Sequence, residues 1–545
     1  MRPRAARRAP LWLALAALLL LLRLPSLGWG LPNALHPDYS YHPDEAFFSR
    51  WADDFVAGER FRKLFMYGGT AFFSAVAATN RLGALVDPQA AQPLAARIHA
   101  GRVANLLVAL ATLLAIAGAA RCLYGDGTAL LAGLMWTLSL GPLALGQWLR
   151  PDGLFSLMFA SHLWALARVA RDGPRGGRLV LLGLLLGMAA AVRFPGAVWA
   201  LGWWPALRLH ATAGDHGWWA RRLALGAGCA LLGFVLLSPS LVTEFAQVWD
   251  GVRAQYAQQR GAFAGNVGWG PSAWQYAVPG LALATSFALY PCVLAGLGHA
   301  LGQRQWPERL VLLTCLPYAA LLALSTWAMV AYLLPLLPAL VILAARGVTR
   351  AAAGRWRTLV TIGFGGCCAA ALLLLLAYVR AVPALDPRDA CLRWLGTHLQ
   401  AGTEVALFQR YAGDVFWQPP AGGGLHWRAC PMPTCDVTAY LARRPRVVVV
   451  ERGFLAPLSS RADPRAAAAY EALRRWHAAP EGYRRVASFG RALTLGPWDL
   501  SAWPAFGELR GPLPQLDVLL RDREKGDIPI FRAAAPSDGT ARQGK

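Results

Sequence analysis

Long apolar runs, broken by short arginine-bearing segments, fill the first 380 or so residues of the chain. A helix needs about 20 apolar residues to cross a hydrocarbon core of ~30 Å. The opening MRPRAARRAP followed by LWLALAALLLLLRL resembles a signal peptide. Because more apolar runs follow, it reads as an uncleaved first membrane helix. Further runs lie near 95–121, 127–147, 152–170, 178–193, 195–209, 221–239, 275–301, 309–324, 326–345 and 357–379. The pattern predicts a polytopic α-helical membrane protein with about eleven spans.

Arginine placement gives the orientation. With Arg2, Arg4, Arg7 and Arg8 in the cytoplasm, the later cytoplasmic loops hold Arg121, then Arg168, Arg171, Arg175 and Arg178, then Arg208, Arg221 and Arg222. Arg304 and Arg309 follow, then Arg346, Arg350, Arg355 and Arg357. Every basic cluster between spans falls on one side, as the positive-inside rule demands.

Three segments then face outward. The first is a loop over 32–94. Within it Phe47, Trp51 and Phe55 recur every fourth residue and Gly58 follows, predicting an amphipathic helix over 45–57 that lies in the membrane interface. The second is a loop over 240–274 carrying Trp249, Tyr256, Phe263 and Trp269. The third is the polar, proline-rich region 380–545. There EVALF (404–408) and RVVVVE (446–451) read as buried strands and 464–477 as a helix. The expected organisation is a membrane domain over 1–379 and a small extracytoplasmic α/β domain over 380–545.

Composition agrees with this division. Hydrophobic residues make up 56% of the 545-residue chain and charged residues 15%, against about 25% in soluble domains. The formal net charge of +23 would ordinarily suggest nucleic-acid binding. Here the basic residues sit in the short breaks between apolar runs, so no nucleic-acid partner is expected. Only Lys63, Lys525 and Lys545 are lysines, and this arginine skew weakens any single arginine as a sign of phosphate recognition. Six of the nine cysteines lie in or beside apolar runs and read as core fillers. Cys430 and Cys435 of CPMPTC could close a small disulfide outside the cytoplasm; a zinc site lacks a second Cys/His pair.

Three carboxylates stand out on the predicted outer face: Asp44 and Glu45 in YHPDEAFF, and Asp152 in WLRPDGLF. A carboxylate shielded by lipid and aromatic side chains has a raised pKa and suits proton abstraction from a hydroxyl. The alternative is plain helix chemistry: Pro43 and Pro151 open helices whose first turns favour acids. Arg193 in AAAVRFPG and Arg102 inside the second run could grip a phosphate through a forked pair of hydrogen bonds, or could snorkel or pair with a carboxylate. Arg150 reads as an orienting partner of Asp152. His42 and Tyr67 flank the first-loop acids as candidate substrate contacts, or merely solvate the loop. His99 has no His or Cys partner, so no metal site is assigned, although a divalent ion at the acids stays open. No Walker loop, dinucleotide fingerprint, HExxH or GxSxG stands in a fitting context.

These motifs, taken in order, resemble the polyprenyl-phosphate-dependent glycosyltransferases of the GT-C class. The likeness is to bacterial relatives of glycosyltransferase family 39, which include protein O-mannosyltransferases and the aminoarabinose transferase of lipid A. HPDEAFFSRWADDFVAGE resembles the first-loop acidic motif with its interfacial helix, and YGGTAFFSAV the segment after it. LRPDGLFSLMFASHLWAL resembles the second acidic motif, and LLGLLLGMAAAVRFPG the glycine-rich span ending in a basic residue. SPSLVTEFAQVWDGV, AYLLPLLPALVILAARGV and DPRDACLRWLGTHLQAGTEVAL resemble later pieces, so the likeness covers about residues 10–410. The chain departs from many members in carrying GGTAFF for a PLYY-like run and Ala331 for an arginine before Tyr332.

The resemblance implies a GT-C-like fold and an enzyme in the cytoplasmic (inner) membrane of a bacterium. It implies a polyprenyl-phosphate sugar donor and a lipid, glycan or protein acceptor. Asp44 would be the base, Glu45 and Asp152 would shape the site, and Arg193 would face the lipid phosphate. The transfer would be inverting and would take place on the outer face without a nucleotide. The competing expectation is a transporter or lipid-linked-sugar flippase, which would place charges near the bilayer midplane and often carry internal repeats.

Overall fold

The computed structural model describes residues 9–40, 43–56, 70–86, 94–146, 148–210, 216–239, 243–260, 273–274, 276–303, 305, 306–325, 330–381, 387–409, 424–431, 436–450, 464–489, 494–495, 498–499 and 528–533. The chain forms two units. One comprises Met1–Trp29, Asp44–Gly261 and Gly268–Val379; the other comprises Gly30–Pro43, Ala262–Val267 and Arg380–Lys545.

Helices build the first unit: α1 (Ala9–Arg23), α2 (Pro43–Val56), α3 (Ala71–Val86), α4 (Leu94–Tyr124), α5 (Asp126–Thr137), α6 (Leu140–Ala144), α7 (Pro151–Asp172) and α8 (Gly176–Val192). After these come α9 (Trp203–Arg208), α10 (His216–Leu237), α11 (Phe245–Arg260), α12 (Leu281–Ala284), α13 (Tyr290–Gly302), α14 (Trp306–Leu324), α15 (Leu337–Ala351) and α16 (Arg357–Ala381). Among the described residues six stretches are helical, long and apolar enough to cross a membrane: Ala9–Ser26, Leu94–Tyr124, Pro151–Asp172, Gly217–Leu237, Trp306–Leu324 and Arg357–Arg380. Gly176–Val192 is a shorter apolar helix. This is a multi-pass membrane protein.

The other four apolar runs are helical but broken. The run over 127–147 stops after α5 and resumes as the short α6. Phe194–Gly202 is 3-10 helix before α9, and Val330–Leu333 is 3-10 helix before α15. Tyr276–Gly280 forms a π turn, and α12 is separated from α13 by residues 285–289. Prolines open the Phe194 segment, α13 and α15, where the first turn needs no backbone donor. Broken backbone at membrane depth survives only when protein buries it and satisfies its polar groups. Leu138, Ser139, Thr285, Ser286 and Val330 are accordingly buried. Two breaks serve each other: Ser286, at a positive φ of 62°, donates its hydroxyl to the Leu138 carbonyl at 2.6 Å.

α4 packs against α5 and α7, α8 against α7 and α10, and α13 against α15. The α8–α10 contact rests on Gly183 and Gly187, where a Cβ would collide with the Gly226 and Ala230 carbonyl oxygens. Such small residues let two backbones approach when no hydrophobic force favours one apolar surface over lipid.

The second unit holds a five-stranded mixed sheet in the order β2-β1-β3-β7-β4. Its strands are β1 (Glu404–Gln409), β2 (His426–Pro431), β3 (Val447–Val449), β4 (Tyr483–Phe489) and β7 (Ile528–Ala533), with a separate pair β5 (Thr494–Leu495) and β6 (Trp498–Asp499). β1 runs parallel to β2 and β3, while β7 is antiparallel to β3 and β4. Side chains alternate across the pleat. Val405, Leu407, Val447 and Val449 pack on Cys391, Leu392 and Leu395 of α17 (Pro387–His398). Ala406, Phe408 and Val448 face Val437 and Leu441 of α18 (Val437–Ala442) and Leu473 of α19 (Pro464–Ala478). Burial on both faces explains why β1 and β3 read as continuous apolar runs. His36 of the Gly30–Pro43 segment reaches Asp389 of α17 at 3.3 Å, so this early segment belongs to the sheet unit. Cys430 is disulfide-bonded, while Cys435 lies outside the described residues.

Candidate active site

The N-terminal turn of α2 carries Asp44 and Glu45. Successive residues on a helix point about 100° apart, and the two acids part company accordingly. Glu45 turns into the bundle and is fully buried, as is Arg102 of α4. Arg102 donates Nε–H and Nη2–H to the two Glu45 carboxylate oxygens at 2.9 and 2.6 Å. Its Nη1 donates to the Leu27 and Trp29 carbonyls at 2.8 and 2.5 Å. The Leu149 amide adds a further hydrogen bond to Glu45 at 2.9 Å. Arg97, earlier on α4, pairs with Asp53 near the other end of α2, and Asn80 donates to the same Asp53 at 3.1 Å. The helix is therefore pinned to α4 at both ends. Its buried stripe is Phe48 and Ala52, with Phe48 edge-on to Phe72 and Phe73. Phe47, expected on the apolar stripe with Trp51 and Phe55, is exposed.

Asp44 takes the other direction and keeps 26% of its side-chain surface open. Arg150 Nε lies 3.7 Å from Asp44 and 3.1 Å from Asp152. One guanidinium thus joins two carboxylates that are 108 positions apart in the sequence. Pro151 starts α7 and Arg150 caps it in extended backbone, which aims Asp152 from the first helical turn. Arg193, the extended residue that ends α8, donates Nη2–H to the other Asp152 oxygen at 2.8 Å. Its guanidinium also lies over the Tyr332 ring at 5.1 Å. The Tyr318 hydroxyl donates to the Tyr332 carbonyl at 3.2 Å, tying that ring's backbone to α14.

The electrostatics of Asp44 follow from this setting. Packing strips hydration from the carboxylate and raises its pKa above the ordinary 3.8; Asp152 and Glu45 push the same way, while Arg150 and Arg193 pull it down. Among the described residues no three His, Cys, Asp or Glu side chains gather as a metal cluster. The positive charge between Asp44 and Asp152 is that of Arg150.

The structure brings together Asp44, Glu45, Arg102, Arg150, Asp152 and Arg193. His42 and Tyr67 lie outside the described residues, as do Phe263 and Trp269 of the second outer loop. Sequence reasoning gave no site role to Tyr332, Tyr318 or the Leu149 amide. Only the YLLP motif signalled Tyr332.

The family model for dolichyl-phosphate-mannose-protein mannosyltransferases matches residues 94–242. That stretch holds Arg102, Arg150, Asp152 and Arg193. No curated protein matches the chain. Among solved structures, the ArnT protein of Cupriavidus metallidurans in the apo state is 16% identical, with 72% of this chain and 71% of that one covered and a TM-score of 0.50. The archaeal oligosaccharyltransferase AglB of Archaeoglobus fulgidus, solved with an inhibitory peptide and a dolichol-phosphate, is 10% identical. It covers 82% of this chain and 70% of its own, with a TM-score of 0.52. At these identities the likeness is one of fold. The family model and the structural neighbours both belong to the GT-C glycosyltransferases that use lipid-linked sugars, so the resemblance read from the motifs is borne out.

Proposed function

We propose that the protein is a membrane glycosyltransferase that moves a sugar from a polyprenyl-phosphate donor to an acceptor hydroxyl by an inverting displacement. The observation that carries this reading is the partly open Asp44 carboxylate beside the Arg150–Asp152–Arg193 cluster, within a fold shared with lipid-linked glycosyltransferases. The acceptor oxygen attacks the anomeric carbon, and its proton passes to the Asp44 carboxylate. The bond from that carbon to the phosphate oxygen breaks, and the polyprenyl phosphate leaves as an anion. A raised pKa makes Asp44 a better proton acceptor than an ordinary aspartate.

Arg193 and Arg150 supply positive charge toward the leaving phosphate while Asp152 fixes their directions. Glu45 and Arg102 act as the frame that aims α2. The reaction takes place on the extracytoplasmic face of a bacterial inner membrane, with the N-terminus cytoplasmic. Residues 1–379 form the catalytic membrane domain; 380–545 form an extracytoplasmic domain that helps to hold the acceptor. His42 and Tyr67 contact substrate beside the acids.

The test is Asp44→Asn in membranes given labelled polyprenyl-phosphate sugars. Loss of transfer, by about 10²-fold or more, is expected when a general base is removed. Transfer at the wild-type rate would remove Asp44 from the role.

A further inference from the structure

The last residue of α1, Arg23, is buried among apolar helices. Its Nη1 has no hydrogen-bond partner among the described residues. It lines a small, half-open pocket, whose empty space including open solvent is about 240 Å³, together with Asn105, Thr112, Trp136, Gly146 and Ser156. Trp136, which lines the same pocket, has a buried Nε1 that also lacks a partner among the described residues. The Thr112 and Ser156 hydroxyls donate along their own helices to Val108 and Asp152 carbonyls, and Asn105 donates to the Trp148 carbonyl.

The neighbouring acids are already engaged. Glu45 is held by Arg102, and Asp152 by Arg193 and Arg150. A guanidinium does not shed its proton in a protein, and a buried charge without a counter-charge is strongly unfavourable. A water molecule would satisfy the two orphan donors but not the charge; an anion satisfies both.

We propose that this cavity binds a small exchangeable anion, which accepts hydrogen bonds from Arg23 Nη1 and Trp136 Nε1 and neutralises Arg23. A free monovalent anion and the phosphate oxygen of a lipid head group share that chemistry. Asp44 is not among the residues lining this pocket, whose occupancy is readable without any transfer assay.

The test uses the full-length protein in detergent, titrated with potassium bromide against potassium gluconate at constant ionic strength, and separately with polyprenyl phosphate in gluconate. The melting temperature is followed. A bromide-specific rise that sets in near the dissociation constant is expected; above that concentration each tenfold step in anion multiplies the folded-to-unfolded ratio about tenfold. Arg23→Met abolishes the response. Trp136→Phe, which keeps the charge and most of the volume, moves the onset of the rise to a several-fold higher anion concentration. A response to polyprenyl phosphate alone that vanishes in Arg23→Met keeps the anion site and assigns it to the lipid. The proposal is overturned if neither probe stabilises the wild type beyond gluconate, or if Arg23→Met responds as the wild type does. Should Arg23→Met not fold, an unmoved onset in Trp136→Phe overturns it.

Discussion

Replacing Arg102 by methionine takes four hydrogen bonds from the core at once: two to the Glu45 carboxylate and two to the Leu27 and Trp29 carbonyls. The Glu45 carboxylate is then left inside the bundle without its guanidinium. Breaking a buried ion pair by removing one partner costs about 3–5 kcal/mol. At ~1.4 kcal/mol per tenfold, that is roughly a 10³-fold loss in the folded-to-unfolded ratio. It is a large share of a stability that is typically about 5–15 kcal/mol. Glu45→Leu alone leaves the opposite charge stranded and should cost a similar amount.

The double variant Glu45→Leu/Arg102→Met leaves neither charge behind. Swapping a whole buried pair for apolar groups is often neutral or better, while the orphaned Leu149 amide and the Leu27 and Trp29 carbonyls each cost about 1–3 kcal/mol. The double variant should therefore be clearly more stable than the sum of the singles, with a coupling above ~1 kcal/mol. Melting temperature in detergent and the monodisperse fraction on size exclusion, measured for all four proteins, give the cycle. Additive effects, or an Arg102→Met protein as stable as the wild type, would refute the frame role.

If Asp44 is the base it must be ionised, so transfer should fall on the acid side with a midpoint above 3.8. Arg150 lowers that pKa, so Arg150→Ala should move the midpoint to higher pH; a downward move in the pH–rate profile would contradict the assignment. A carboxyl whose pKa is raised by folding binds its proton more tightly in the folded state, so its ionisation opposes folding above the unfolded value. Asp44→Asn should for that reason raise the melting temperature at neutral pH while lowering transfer. Tyr332→Ala should weaken transfer by about 2- to 30-fold, matching a cation–π contact of about 0.5–2 kcal/mol, and Tyr332→Phe should retain the wild-type rate. Equal loss in both would point to the hydroxyl instead of the ring face. Ser286→Ala orphans the buried Leu138 carbonyl and should cost about 1–3 kcal/mol in thermal stability; an unchanged melting temperature would contradict this.

Parts of this arrangement were legible in the sequence. Proline followed by an acid, in HPDE and RPDG, marks helix starts whose first turns project carboxylates, and α2 and α7 begin at Pro43 and Pro151. Apolar runs such as EVALF and VVVV announce strands covered on both faces, because each face of the pleat needs its own apolar set. The pairing of Glu45 with Arg102 was not legible. The two are 57 positions apart, and no spacing rule links side chains on different helices. The stripe of α2 was misjudged for a local reason. Phe47 and Phe48 are adjacent, and periodicity cannot choose between them until Phe72 and Phe73 fix which side is inside. Hydropathy also cannot locate the breaks within an apolar run. Composition stays apolar on both sides of Leu138, and the break depends on Ser286 arriving from 148 positions away.

These breaks make the acidic cluster possible. Backbone amides inside a continuous helix are spent on the carbonyl four residues earlier. Were the 127–147 run to continue unbroken into α7, the Leu149 amide would bond to Leu145 and the Trp148 carbonyl would be claimed by its own helix. The chain instead leaves helical geometry after α6 and restarts at Pro151, a residue that needs no backbone donor. Leu149 N–H is thereby freed for Glu45 and the Trp148 carbonyl for Asn105 of α4. Arg150 is held in extended backbone, where it can reach both Asp44 and Asp152. Arg193 repeats the device: α8 ends on it, the following segment is 3-10, and its side chain turns to Asp152. The irregular backbone is therefore the source of the donors that hold the carboxylates. A substitution that favours continuous helix across 145–150 should disturb the acids even though it touches none of them.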